Sequence, residues 1–236
     1  MAGTLYLLPT TIGSESLENV IPNAVIQQTR QLKHFVVEDI RTTRRYLSKI
    51  GVLTPIDQIS FMELNEHTRI EDIDILLKPL LEGNDVGLIS EAGLPAIADP
   101  GSQLVDLANQ RGIKVVPLTG PSSIFLTLMA SGLNGQNFAF VGYLPIKPEE
   151  RKKRIKSLEL RSRQENQTQI FIEAPYRNAS LFNEILKDCN PETKLTIGVE
   201  LTSSNEFIST KKIWEWKKSA LPEINKKNCV FCLLSK

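Results

Sequence analysis

Residues 86–101 read VGLISEAGLPAIADPG, and this stretch decides how the chain folds around its candidate site. An apolar run that ends at Ile89 is typical of a buried strand, and helix-like spacing resumes at residue 102. The residues that interrupt the pattern are small, polar or conformationally special: Ser90, Glu91, Gly93, Pro95, Pro100 and Gly101. Gly and Pro break regular structure and leave backbone groups accessible. The stretch therefore predicts a strand, an exposed turn that faces a ligand, and a helix.

Short apolar runs alternate with amphipathic stretches on both sides of this turn, which is typical of an α/β fold. The runs TLYLLP, HFVVED, DVGLIS and KVVPL are expected strands, and SLENVIPNAVIQQTRQL, RIEDIDILLKPLLEG and GSQLVDLANQRG are expected helices. After a turn-rich segment, the apolar runs NFAFVGYLP, QIFIEAP, LTIGVEL and CVFCLL follow. We predict an N-terminal α/β domain with a mostly parallel sheet over residues 1–118 and a C-terminal α/β domain with a mixed sheet over residues 121–236.

The composition excludes several classes of protein. The chain has 236 residues and a formal net charge of +1, so any site for a polyanion must be a local patch. The N-terminal sequence does not resemble a secretory signal, and no apolar run is long enough to span a membrane. We therefore expect a cytoplasmic chain without a membrane partner.

The cysteines raise the question of a metal site or a disulfide. The chain has three cysteines, Cys189, Cys229 and Cys232, which cannot all form disulfides, and this fits a reducing compartment. Cys229 and Cys232 are three residues apart in a strand-like run, so their side chains should face opposite sides of a sheet. We predict buried thiols and no metal.

Three loops that follow predicted strands combine Gly or Pro with small hydroxyl residues: PTTIGS at 9–14, SEAGLP at 90–95 and TGPSS at 119–123. Ligands of open α/β sheets bind where strands end at their carboxyl edge. The chain lacks both G-x-G-x-x-G and G-x-x-x-x-G-K-[ST], the phosphate-binding motifs of dinucleotide and nucleoside triphosphate sites. Each loop taken alone could be a tight turn with capping hydroxyls, but the three together indicate a nucleoside-like ligand.

Eight blocks, in order and spacing, resemble the tetrapyrrole methylase-like superfamily of S-adenosylmethionine (SAM) methyltransferases: GTLYLLPTTIG, VVEDIRTT, GLISEAGLPAIADPG, VVPLTGPSS, ASGL, FVGYLPIK, FIEAPYR and IGVELT. The chain looks most like the branch that methylates a cytidine ribose 2′-hydroxyl in small-subunit ribosomal RNA. The resemblance implies two α/β domains with SAM in a cleft between them, S-adenosylhomocysteine as product, and a homodimer. Many members of that branch continue into a helical C-terminal domain, whereas this sequence stops at Lys236.

The resemblance also implies which residues contact SAM: Pro9, Thr10, Ser90, Glu91, Ala92, Gly93, Leu94, Ile97, Ser122, Ser123, Ala174 and Leu201. The sequence departs from the usual pattern of the branch in two of these loops, since PTTIGS replaces PTPIGN and SEAGLP replaces SDAGTP. In the second block, Ile40 replaces a threonine of the usual EDTR.

A ribose hydroxyl is a poor nucleophile until its proton has an acceptor, so we look for a general base. The candidate catalytic residues are Glu38, Asp39 and Glu173. Arg41 would hold a phosphate, although EDIR at 38–41 also fits a capped helix start. Tyr176 is expected to stack on a base and Arg177 to contact the substrate, although FIEAPYR also fits a strand that ends in a solvated Pro turn.

The densest positive charge lies in residues 147–163, KPEERKKRIKSLELRSR. The cations expected to contact RNA phosphates are Arg151, Lys152, Lys153 and Arg154. The same block also fits a solvated amphipathic helix, because Pro148 and two acids lie at its start. Both interpretations can hold at once.

The sequence thus predicts a SAM-dependent methyltransferase whose partner is ribosomal RNA or the small ribosomal subunit. The alternative within the superfamily is methylation of a corrin or porphyrin precursor, but such members tend to have a glycine-rich first loop and a GDP-type turn. A further alternative is a non-catalytic RNA-binding protein that retains the fold.

Overall fold

The structure is a computed structural model that describes residues 1–65 and 67–236, and for Ile70 it describes the backbone alone. The chain divides into two compact units, Met1–Ser122 (unit 1) and Ser123–Lys236 (unit 2). Each unit has its own sheet and its own hydrophobic core. Among the described residues, no helix has the length and apolar character needed to cross a membrane.

Unit 1 alternates strands and helices in the order β1 (Thr4–Leu8), α1 (Asn23–Gln31), β2 (His34–Val37), α2 (Ile40–Ile50), β3 (Ser60–Glu63), α3 (Ile73–Leu76), α4 (Lys78–Leu81), β4 (Val86–Ile89), α5 (Ser102–Gln110) and β5 (Lys114–Pro117). Short 3₁₀ helices cover Ile56–Gln58 and Ile70–Asp72. The expected long helix over RIEDIDILLKPLLEG is divided into α3 and α4, with Pro79 in the first turn of α4. Pro lacks the N–H that a continuous helix requires at that point.

The sheet of unit 1 has the strand order β3-β2-β4-β1-β5, and all its described pairings are parallel. From β1 the chain crosses to β2 on one side, whereas from β4 it crosses to β5 on the other side. The neighbouring strands β1 and β4 therefore form the topological switch point, where a crevice opens at the carboxyl edge of such a sheet.

Opposite directions of crossover also place the helices on both faces of this sheet. Helices α1 and α2 share one face through Val25, Ile26 and Ile50, and Leu47 packs with Leu8 on the same side. On the other face α3, α4 and α5 pack against Leu5, Val86 and Leu88. Burial on both faces explains why β1 and β4 read as continuous apolar runs rather than as alternating patterns.

Unit 2 contains α6 (Ser123–Ser131), β6 (Phe138–Tyr143), α7 (Pro148–Glu165), β7 (Thr168–Ile172), α8 (Asn178–Asp188), β8 (Lys194–Val199), β9 (Phe207–Lys212), α9 (Ile213–Lys218) and β10 (Cys229–Leu234). A 3₁₀ turn covers Pro175–Arg177. The strand order is β6-β7-β10-β8-β9, with β6 and β7 parallel and the other pairs antiparallel. Helix α6 covers one face of this sheet, and α7, α8 and α9 cover the other.

Two strands in the structure did not follow from the sequence. β3 and β9 each lie at the edge of a sheet, and their side chains are at most partly buried. Edge strands need few apolar residues, so their hydrophobic pattern is weak. The α/β fold class itself is confirmed.

Candidate active site

The switch point of unit 1 joins the loops that follow β1, β2 and β4. The Thr10 amide donates to the Gly93 carbonyl at 2.8 Å, and the Glu91 amide donates to Glu38 Oε2 at 3.1 Å. From α2, the Tyr46 hydroxyl donates to the Pro9 carbonyl at 2.6 Å. These bonds connect different strand ends, so the three loops form one structure. Pro9, Thr10, Glu38 and residues 90–94, which the sequence assigned to one site, are thereby brought together.

The loop after β4 has an unusual backbone. Gly93 has φ +78°, and a Cβ added there would lie 3.1 Å from Ile12 Cγ2 and 3.5 Å from the Pro121 carbonyl oxygen. Ala96 and Ala98 also have positive φ, at 65° and 64°, which costs roughly 1–2 kcal/mol for each non-glycine residue. Strain of this kind persists where the surroundings impose it, and it is concentrated at functional sites.

Two buried hydroxyl groups lie at the ends of β1 and β4. Thr10 is 4% exposed and Ser90 is 3% exposed. Within residues 1–65 and 67–236, neither Oγ1 of Thr10 nor Oγ of Ser90 has a hydrogen-bond partner of normal geometry. A buried hydroxyl without a partner costs about 1–3 kcal/mol, so such groups are expected where a ligand completes the bonding. The orphaned Thr10 hydroxyl, together with the close packing at Gly93, fits a ligand that carries polar groups, as SAM does.

A cavity of about 280 Å³ opens beside these hydroxyls. Its floor includes Thr10, Ile89 and Ser90, and its wall is the outer part of α2. The side chains that α2 contributes are hydroxyls and cations: Thr42, Thr43, Arg45, Tyr46 and Lys49. We call this cavity the α2 pocket.

The carboxyl groups near the pocket differ in their surroundings. Asp39 is the N-cap of α2, and its Oδ1 accepts from the Thr42 amide at 2.7 Å and from the Thr42 hydroxyl at 2.8 Å. These hydrogen bonds lower the pKa of Asp39. Asp39 therefore caps the start of helix α2. A carboxylate whose charged form is stabilised is a weak base.

Asp99 has the opposite environment. Burial raises the pKa of Asp99 to about 6, and the nearby charges of Glu38 and Glu91 add to this effect, while an interaction with the Ser90 hydroxyl opposes it. A carboxyl group with a pKa close to neutrality suits proton transfer. The sequence analysis did not select Asp99, because its burial and its acidic neighbours are consequences of the tertiary structure. The adjacent Pro100 and Gly101 were the only signal in the sequence.

The site residues predicted from FIEAPYR lie at the end of β7 in unit 2. Glu173 is buried, and its Oε1 accepts from the Ala174 amide at 2.7 Å and from Arg177 Nε at 2.9 Å. The guanidinium of Arg177 is therefore committed to Glu173, which does not favour its predicted contact with substrate. Tyr176 is 68% exposed and stacks beside Arg177, with 5.3 Å between the guanidinium carbon and the ring centroid.

Arg41, predicted to bind a substrate phosphate, and the remaining residues predicted to bind the cofactor are distributed over both units. Arg41 is exposed in the first turn of α2, and Ile97 is exposed between the two strained alanines. Ser122 is the last residue of unit 1 and Ser123 the first of α6. Leu201 is buried just beyond β8.

The cations of α7 separate into two groups. Arg151 is only 5% exposed, because its guanidinium pairs with Glu184 through both ends at 2.7 and 2.5 Å. The prediction that Arg151 contacts RNA is therefore corrected, since this side chain is part of the packing between α7 and α8. Lys152 is half-exposed and 4.0 Å from Asp188, whereas Lys153 and Arg154 are exposed.

The cysteines lie where the strand pattern predicts. Cys229 packs in the core between the sheet and α7, and Cys232 packs on the opposite face with α6. Burial raises the pKa of both thiols to about 12. In the part of the chain that the structure describes, no group of three or more His, Cys, Asp and Glu side chains is arranged to hold a metal ion.

Comparison with known proteins finds a methylase family and relatives that are named methyltransferases. Residues 24–215 match the family of tetrapyrrole (corrin/porphyrin) methylases. The chain is 34% identical over 207 residues to the protein of Vibrio cholerae named ribosomal RNA small subunit methyltransferase I, covering 88% of this chain and 68% of the relative. It is 32% identical over 219 residues to the protein of the same name from Haemophilus influenzae, covering 92% and 73%.

Solved structures show the same fold at lower identity. The methyltransferase CobJ matches with a TM-score of 0.65 and 15% identity, over 99% of this chain and 95% of that chain. The cobalt precorrin-4 methyltransferase CbiF matches with a TM-score of 0.60 and 14% identity, over 98% and 94%. The prediction of the family from sequence is confirmed. The chain belongs to the tetrapyrrole (corrin/porphyrin) methylase family and, within it, to the SAM-dependent methyltransferases that share the name ribosomal RNA small subunit methyltransferase I.

Proposed function

We propose that this protein transfers the methyl group of SAM to the ribose 2′-hydroxyl of a cytidine in small-subunit ribosomal RNA. The observation that carries the proposal is the switch point of unit 1, where orphaned buried hydroxyls and a carboxyl group of raised pKa lie in one set of interlocked loops. The names of the relatives at 32–34% identity supply the substrate class.

The residues proposed to hold SAM are those of the loops after β1 and β4, with Ser122 and Ser123 beyond β5. When bound, SAM supplies an electrophilic methyl group on its sulfonium. The open backbone around Gly93 offers N–H and C=O groups to the cofactor without obstruction from a side chain.

Methyl transfer forms a bond between the ribose oxygen and the methyl carbon, breaks the bond between sulfur and methyl, and releases the proton of the hydroxyl. We propose Asp99 as the acceptor of that proton, with Glu38 beside it to raise its basicity. Glu38 also fixes the loop by accepting from the Glu91 amide. Asp39 and Glu173 are disfavoured as bases, because the first caps a helix and the second pairs with Arg177. A positioned base contributes about 10²–10⁴-fold in rate.

Exposed cations of α7 support contact with RNA. Lys153 and Arg154 lie on the solvent face of the helix, and Lys152 lies at its side. Each phosphate neutralised in single-stranded RNA contributes a salt-dependent part of the affinity. We propose that these three cations bind phosphates of the RNA, and that Tyr176 stacks on a base.

We propose a homodimer in the cytoplasm. One side of α6 packs on the sheet of unit 2, whereas Phe125 and Met129 on its other side are exposed, Met129 by 79%. The Phe138 ring contacts Phe125 edge to face, with 6.0 Å between centroids. An exposed apolar patch of this kind is typical of an interface.

A tetrapyrrole substrate is not favoured. The relatives with substantial identity are named ribosomal RNA methyltransferases, whereas the likeness to corrin-pathway enzymes is at 14–15% identity and shows the fold alone.

The test is methyl transfer from radiolabelled SAM to isolated small ribosomal subunits that lack their native ribose methylations, with a tetrapyrrole precursor in parallel. Nuclease mapping should find the label in a 2′-O-methylated cytidine. Label in the tetrapyrrole alone, or on a base rather than a ribose, would contradict the proposal. If neither substrate is labelled, binding of SAM distinguishes an inactive preparation from a protein without the cofactor site.

A further inference from the structure

We propose that the α2 pocket is the entry site for the acceptor strand, in which Arg45 and Lys49 hold an RNA phosphate at the rim and the hydroxyl floor receives the ribose. The inference rests on the proposed function and adds to it the surface that presents the substrate. Arg45 and Lys49 were not selected from the sequence.

The first argument is the position of the pocket. It lies at the switch point, and its floor includes Thr10 and Ser90, which belong to the loops proposed for SAM. Ser90 also interacts with the Asp99 carboxyl. A ribose in this pocket would therefore approach both the cofactor loops and the proposed base, as methyl transfer requires.

The second argument is unmet hydrogen bonding. Thr10 and Ser90 are more than nine-tenths buried and line the cavity, and within the described part of the chain the Thr10 hydroxyl oxygen lacks a partner, whereas that of Ser90 interacts with Asp99. A hydroxyl group both donates and accepts, so it matches the hydroxyls of a ribose. The 2′-hydroxyl is the group by which a protein distinguishes RNA from DNA.

The third argument is charge. Helix α2 has the sequence IRTTRRYLSKI, which contains four cations and no acid. Arg41, Arg45 and Lys49 recur every four residues and so follow one side of the helix for about 12 Å. Lys49 Nζ contacts the Glu15 carbonyl oxygen, and Arg45 is exposed at the pocket wall. Glu91 is an acidic residue of the lining, but the cations Arg45 and Lys49 and the hydroxyl groups outnumber it. A line of cations beside such a cavity fits a polyanion whose backbone carries a sugar at each phosphate.

The binding experiment uses the full chain and a fluorescent single-stranded oligocytidylate of about ten nucleotides, a length within the usual site size for single strands. The test variant is Arg45→Gln combined with Lys49→Gln. The matched control is Lys33→Gln combined with Lys114→Gln, which removes the same charge from exposed positions at the opposite, amino-terminal edge of the same sheet.

We expect the test variant to bind the RNA at least about tenfold more weakly at low salt, with a slope of log K against log salt reduced by roughly 0.7 for each lost phosphate contact. The control should bind like the unmodified chain, and SAM affinity measured by calorimetry should be equal in all three proteins. An unchanged RNA affinity and salt slope in the test variant, or failure of the unmodified chain to bind the oligonucleotide, would overturn the inference.

A second variant, Thr10→Val, examines the floor of the pocket, since it removes the hydroxyl and keeps the shape. We expect it to reduce the preference for oligocytidylate over the matching DNA oligonucleotide, whereas an unchanged preference would contradict a ribose at this floor. The two proposals fail separately. If RNA binding depends on Arg45 and Lys49 but no methyl group is transferred to the small subunit, the proposed role of the α2 pocket stands and the proposed function fails. If methyl transfer occurs but RNA binding does not depend on these two residues, the proposed role of the pocket fails.

Discussion

The carboxyl edges of the two sheets are built from similar residue types, but they differ in how their polar groups are satisfied. In unit 2, Oε1 of Glu173 pairs with Arg177 and Arg151 pairs with Glu184, although the buried Oε2 of Glu173 has no partner among the described residues. In unit 1, the buried Thr10 hydroxyl has no partner among the described residues, and Asp99, which interacts with Ser90, has acidic rather than cationic neighbours. Paired charges stabilise the fold, whereas unmet groups cost stability and leave bonding capacity for a ligand. The unit 1 edge is therefore the better candidate for chemistry.

The largest expected effect comes from Gly93→Val, which fills the space beside Ile12 at a positive φ. We expect SAM affinity to fall by about 100-fold or more, equivalent to roughly 3 kcal/mol. The matched control is Gly112→Val, because Gly112 has φ +65° and, within the described chain, no atom lies within 4 Å of an added Cβ. Both variants carry the backbone strain, so calorimetry with SAM isolates the effect on the site. Retained affinity in a folded Gly93 variant would place the cofactor elsewhere.

Asp99→Asn should lower kcat by about 10²–10⁴-fold, because the amide cannot accept the proton. In the unmodified protein, kcat/KM should fall on the acid side with a midpoint near pH 6, where Asp99 becomes protonated. The variant should lose this limb of the pH profile while it keeps its affinity for SAM. Full activity in Asp99→Asn would exclude Asp99 as the base.

The same chemical change should have opposite effects on stability at the two edges. The folded-state pKa of Asp99 is raised, so the folded state holds the proton more tightly, and this advantage is lost as pH rises from about 4 through about 6. Asp99→Asn should therefore stabilise the fold above pH 6, by about 1 kcal/mol after allowance for solvent screening.

Glu173→Gln should instead destabilise the fold by about 3 kcal/mol, because it leaves Arg177 without its carboxylate. Urea unfolding at pH 7.5 measures the free energy of unfolding of Asp99→Asn, Glu173→Gln and the unmodified protein. Equal signs for the two variants would contradict the distinction between the edges.

The smallest expected effect concerns the strained loop. Ala98→Gly relieves a positive φ of 64°, and we expect a gain of roughly 0.5 kcal/mol in unfolding free energy, since the relief exceeds the added flexibility of the unfolded chain. The looser loop should bind SAM about threefold more weakly. Lys226→Gly, at φ 58° in a turn of unit 2, is the control and should leave SAM affinity unchanged. Equal SAM affinity in Ala98→Gly and in the control would argue against preorganisation.

Sequence patterns were reliable for buried elements and weaker at edges. β1, β4, β7 and β10 are central strands, and their apolar runs identified them. The edge strands β3 and β9 were not predicted, because partial burial leaves a weak pattern, although the edge strands β5 and β6 were. The break at Pro79 was not predicted either, because it depends on the missing N–H of proline and not on hydropathy. For α7, the spacing predicted the helix but did not show that Arg151 faces inward toward Glu184.

The sequence by itself determined the α/β class, the family and the opposite faces of Cys229 and Cys232, since these depend on local periodicity and on motifs. Only the tertiary structure decided which carboxyl groups are poised for proton transfer. Asp39, Asp99 and Glu173 carry the same functional group, but their pKa and their partners are set by residues distant in the chain. Burial and electrostatic neighbours are properties of three-dimensional packing, so the proposed base and the α2 pocket became visible only once the chain was folded.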